Sequence, residues 1–162
     1  MEMLIKKGAG WKERDDWGWN VLHEAAAADH PGTIQWICRE SKGLINMSDR
    51  LGRTPLLAAL MAGARLESVR ELLDQGEDPG QEDEVGRGAP EAAVLYCDTE
   101  VEKFNKNLYV EHCVKVIQHV LRRCKAQDGD KKVDLNRSLL MEIAEDHAEN
   151  EKVQEIIVSV TS

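Results

Sequence analysis

The sequence predicts an all-α solenoid of about four stacked helix–turn–helix units with β-turn or hairpin tips. Three observations carry this. An Asp-x-x-Gly motif recurs at Asp15–Gly18, Asp49–Gly52 and Asp83–Gly86, each copy 34 residues from the next. Each copy leads into an alanine-bearing segment that ends on a matching residue, Ala25, Ala59 or Ala93. A second segment with helical apolar spacing then follows, and self-similarity at such a period is the mark of a repeat architecture.

The elements follow in order. Asp three places before Gly is turn chemistry, because Asp bonds the local backbone and Gly accepts positive φ. Thr54-Pro55 supplies an N-cap with Pro at the first helical position, and Asn20 caps in the same way. Second helices are expected over Ile34, Ile37 and Cys38 in unit one and Leu66, Val69, Leu72 and Leu73 in unit two. In unit three Gly88-Ala89-Pro90-Glu91 replaces the capping block, so its first helix is expected to start late. Val110, Cys113, Val114, Ile117, Val120 and Leu121 give its second helix.

The signature resembles the ankyrin repeat family, whose unit is a β-turn and two antiparallel helices bearing Asp-x-x-Gly-x-Thr-Pro-Leu-His-x-Ala. Asn20-Val21-Leu22-His23 keeps the Leu-His half and Thr54-Pro55-Leu56-Leu57 the Thr-Pro-Leu half. Leu4 to Ala9 looks like the end of an outer helix with its Gly-Ala turn. The resemblance implies one domain over residues 1–162: a half-repeat cap at 1–14, then units at 15–48, 49–82, 83–132 and 133–162. Ser138-Leu139-Leu140-Met141 falls at the motif of the fourth unit. Unit three is then over-long by about 16 residues, an insertion near 97–109. The chain is expected to be either a naturally capped domain or a segment of a longer array.

The resemblance also implies a function: protein–protein recognition as an adaptor, inhibitor or targeting scaffold. Stacked repeats present a concave surface of turn tips and first helices. The family's variable positions fall on Trp17, Leu51 and Val85 before the motif Gly, on Trp19, Arg53 and Arg87 after it, and on Arg50. A pair near the end of the first helix adds Met61, Leu95 and Tyr96. Loop tips normally carry polar residues, so an apolar residue at one tip position in three units suggests an apolar strip. Trp and Arg are enriched at binding hot spots. The competing expectation is that Trp17 or Trp19 packs on a neighbouring turn, with Trp11 helping to cap that end.

Composition narrows the partner. The chain has 162 residues and net charge −9, a poor match to nucleic acid, which needs a basic footprint. Residues 71–97 carry 8 acids and 1 base, and the block Glu77, Asp78, Glu82, Asp83 and Glu84 is suited to steer a basic partner. No apolar run approaches a membrane span. Four cysteines without a Cys-x-x-Cys pair suit a reducing cytoplasm, with the nucleus as a second compartment. Self-association through the terminal repeats is the alternative to a foreign partner.

No catalytic constellation stands out. His112 and His119 are seven apart, where helical metal ligands sit three or four apart. Glu142, Glu145 and Asp146 read as a solvated face, and His23 as a residue that bonds the adjacent turn. No cofactor or metal is expected, and an enzyme site has its one remaining place in the Asp98–Leu108 insertion.

Overall fold

The computed structural model describes residues 10, 11, 13–99, 115–124, 154 and 158, with the backbone alone at 96–99. The half-repeat cap before Gly10, most of the unit-three insertion, nearly all of unit four, His112 and the Glu142–Asp146 face lie outside the described residues, as does the Tyr96 side chain.

Among the described residues, five α-helices have defined bounds: α1 (Val21–Ala27), α2 (Pro31–Glu40), α3 (Pro55–Ala62), α4 (Leu66–Gln75) and α5 (Ala89–Thr99). A 3-10 turn occupies Lys42–Leu44, and residues 115–124 are helical. Among the described residues there is no strand. Helices α1, α3 and α5 stack as one layer, and α2 and α4 as a second. Residues 115–124 extend the second layer: the Arg123 guanidinium pairs with Asp74 at 2.9 Å and donates to the Leu73 carbonyl, both on α4.

The helix starts follow from capping. The Asn20 side chain accepts from Leu22 N at 2.8 Å and His23 N at 3.1 Å, while His23 Nδ1 accepts from Asn20 N at 3.3 Å. Three N–H groups at the start of α1 are thus satisfied, those of Asn20 and His23 reciprocally. Thr54 Oγ1 accepts from Leu57 N, with Pro55 opening α3. Helix α5 corrects the expected late start. It begins at Ala89, in register with Val21 and Pro55, and the Glu91 carboxylate accepts from Gly88 N at 3.1 Å, the return half of a capping box. Ala89 N, the next orphan, donates to Pro79 O at 3.1 Å.

The core lies between the two layers. Leu22, Ala25, Leu56, Ala59, Ala92 and Ala93 come from the first; Ile34, Ile37, Val69, Leu72, Val116 and Ile117 face them. Small alanines let the first-layer helices approach closely, and the branched residues opposite fill the space. Trp11 and Trp36 pack on this core, with ring centroids 5.2 Å apart.

Polar staples hold successive units in register. Asp29, at φ +55°, accepts from Arg65 N, Arg65 Nε and Ser68 Oγ at 2.6–3.0 Å, tying the α1–α2 turn to the start of α4. Burial raises its pKa, but the Ser68 and Arg65 bonds outweigh that and hold it below its ordinary value. Asn46, at φ +60°, donates to Gly76 O and accepts from Asp78 N, and its N–H donates to Glu77 Oε1 at 3.1 Å.

Candidate protein-binding surface

Each tip is built the same way. The Asp15 Oδ1 oxygen accepts from Trp17 N and Trp19 N, Asp49 Oδ1 from Leu51 N and Arg53 N, and Asp83 Oδ1 from Val85 N and Arg87 N, all at 2.8–3.0 Å. Glycine closes each turn at φ +84°, +77° and +79° for Gly18, Gly52 and Gly86. The tips also bond to one another: Arg50 N donates to Trp17 O at 3.1 Å and Glu84 N to Leu51 O at 3.0 Å. A Cβ on Gly52 would stand 2.9 Å from Glu84 N, so glycine is required both for its φ and for the approach of the next tip.

This ladder turns Trp17, Leu51 and Val85 outward together, at 70%, 49% and 65% exposure. Met61 is exposed at the end of α3, Leu95 is half-buried on α5, and Ala28 and Ala62 are exposed between. Loop tips ordinarily present polar groups to water, so three aligned apolar side chains are the feature to explain.

The residues after the motif Gly behave differently. Arg53 Nε and Nη2 lie 2.7 and 2.6 Å from Asp49 Oδ2, and the matching Arg87–Asp83 distances are 2.8 and 2.7 Å. Both guanidinium groups are therefore committed inside their own turns, although the sequence offers them as donors to a partner. Trp19 is half-buried: its Nε1 donates to Asp49 Oδ2 at 2.9 Å, its ring stacks on His23 at 5.9 Å, and the Arg53 guanidinium lies 5.7 Å from its centroid. Arg50 is exposed.

His23 closes the link between units. Its Nε2 lies 3.0 Å from Arg53 O, which can only accept, and its Nδ1 faces Asn20 N–H, which can only donate. The ring is therefore the neutral Nε2–H tautomer. Burial lowers its pKa below the ordinary value, the Arg53 carbonyl opposing.

The acidic block divides. Asp78, Glu82 and Glu84 are exposed, but Asp83 is buried in its turn and Glu77 is buried at the junction beside Asn46. Two of the five acids are thus structural and unavailable for steering. Burial pushes the Glu77 carboxyl up to about 7; the N–H groups of Asn46 and Leu56 and the Thr54 hydroxyl oppose the rise, and Asp78 adds to it.

Sequence reasoning passed over Asp15 as a surface residue. The signal lay in the column Trp19, Arg53, Arg87: two turns pair their Asp with an Arg four residues on, and the first does not. Among the described residues, no three of His, Cys, Asp and Glu come together as a metal site, and no helix is long and apolar enough to cross a membrane.

Comparison with known proteins agrees with this architecture. A family model described as ankyrin repeats, in three copies, matches residues 1–83. The "Probable 26S proteasome regulatory subunit p28" of Saccharomyces cerevisiae (strain ATCC 204508 / S288c) is 29% identical over 106 residues, 65% of this chain. The match spans 45% of that relative's length. Asp-x-x-Gly tips, paired helices in two layers and the matched family model together make this chain a member of the ankyrin repeat family, a family of protein-interaction modules.

Proposed function

We propose that this chain is a protein-recognition scaffold (adaptor, inhibitor or targeting module) that binds a protein partner through its tips and first-layer helices. The observation that carries this is the row Trp17, Leu51 and Val85, exposed at one position of three hydrogen-bonded tips. Met61, exposed at the end of α3, and Leu95, half-buried on α5, are assigned to the same face, with Tyr96 assigned by its repeat position alone; Arg50 lies on the middle tip, and Trp19, Arg53 and Arg87 hold the tips in shape. The likeness to a proteasome regulatory subunit, a component of a larger assembly by its name, fits a partner-binding role. Cys38 is a free, buried cysteine, which supports a cytoplasmic or nuclear setting.

The test is affinity capture with the wild-type chain beside a Trp17→Ser, Leu51→Ser, Val85→Ser triple variant. Partners retained by the wild type and lost by a folded triple variant support the face. Identical recovery by both removes it.

A further inference from the structure

Turns two and three each close with an Asp–Arg pair, Asp49–Arg53 and Asp83–Arg87, in which the guanidinium meets Oδ2 at 2.6–2.8 Å. Turn one repeats the Asp but places Trp19 where the arginine belongs. The Trp19 indole is directed to Asp49 of the next turn. Asp15 Oδ1 takes two backbone N–H groups, and no described residue donates to its Oδ2. Asp15 is exposed, and Trp17 two residues on is the most exposed large apolar side chain among those described. The first tip therefore keeps the acceptor of the repeat, lacks its donor, and offers an aromatic face alongside.

Resting on the tip-face reading above, we propose that the partner is a basic peptide segment whose arginine pairs with Asp15 Oδ2 and packs on Trp17. Apolar side chains of the same segment continue over Leu51 and Val85. Charge complementarity supports this occupant. Arg53 and Arg87, which would repel it, are neutralised in their turns, and Asp16, Glu82 and Glu84 are exposed along the row. Arg50 is the exposed cation of the middle tip, so the segment carries its basic residues toward the ends of the row. Arginine suits the site better than lysine because a planar guanidinium gives a carboxylate two N–H groups and stacks on an indole.

The test pans a displayed random dodecapeptide library on the full-length chain and on three variants: Asp15→Asn, Trp19→Arg and the triple tip variant. Asparagine keeps the Oδ1 acceptor of the turn and removes only the charge; Trp19→Arg supplies the missing arginine from within the chain. Enriched peptides are then compared with citrulline-for-arginine isosteres by fluorescence anisotropy. The expected result is arginine-bearing, apolar peptides whose isosteres bind the wild type roughly five- to tenfold more weakly. Asp15→Asn and Trp19→Arg should bind both forms equally. Peptides that need the tip row but show no difference between arginine and citrulline overturn this inference and leave the face intact. Peptides indifferent to the triple variant, or no enrichment at all, overturn both.

Discussion

The indole N–H of Trp19 donates to Asp49 Oδ2 across 30 residues of sequence, at 2.9 Å. One carboxylate thereby serves three ends: its own turn, its own arginine and the preceding tip. It follows that the two neighbouring tryptophans have opposite duties, Trp19 within the fold and Trp17 on its surface.

Substitution should separate them. Trp19→Phe removes a hydrogen bond to a charged group and is expected to cost about 1–2 kcal/mol in denaturant unfolding, with little effect on partner affinity. Trp17→Ser should leave stability within about 0.5 kcal/mol. It should weaken partner binding by about 1–3 kcal/mol, measured by titration calorimetry.

The second tip tolerates no side chain at its glycine. Gly52→Ala combines φ +77° with a Cβ 2.9 Å from Glu84 N, so the tip ladder must shift. A loss of about 1–3 kcal/mol in urea unfolding is expected. Gly43→Ala, with nothing within 4 Å, is the matched control and should change stability little.

Helix α5 depends on Glu91 for its start. Glu91→Ala leaves Gly88 N–H without its carboxylate partner and should destabilise by about 1 kcal/mol. Glu91→Gln, which retains the acceptor, should recover most of it. Hydrogen exchange at Gly88 would show the loss locally.

Glu77 gives stability a pH dependence of definite sign. Its folded pKa of about 7 stands above the ordinary carboxylate value of 4.5, so the folded state holds the proton more tightly. Its contribution is therefore most favourable below pH 4.5 and is lost as pH rises to about 7, by up to roughly 3 kcal/mol. Glu77→Gln should flatten that part of the stability profile. Asp29, with its pKa lowered, acts in the opposite sense and loses its contribution as the pH falls. A denaturation series from about pH 2 to 8 on wild type and Glu77→Gln distinguishes the two, because the Asp29 effect falls at and below its ordinary value of 3.8.

The sequence by itself determined the repeat. Asp and Gly at a fixed offset have one inexpensive conformation, Thr54-Pro55 and Asn20 mark helix starts, and apolar spacing marks the buried stripes; each is a local preference, legible without neighbours. It also determined that the tips would carry Trp17, Leu51 and Val85, because the period aligns them. Only the tertiary structure decided which tip residues are free. Arg53, Arg87 and Trp19 look as available as Trp17 in sequence, but the folded turns pair Arg53 and Arg87 with their own Asp, and the stacking of one repeat on the next gives the Trp19 donor to Asp49. The same stacking buried Glu77 and Asp83, which composition counts with the solvated acids. Hydrogen bonds between residues about 30 positions apart leave no trace in local spacing; they exist once adjacent repeats are packed.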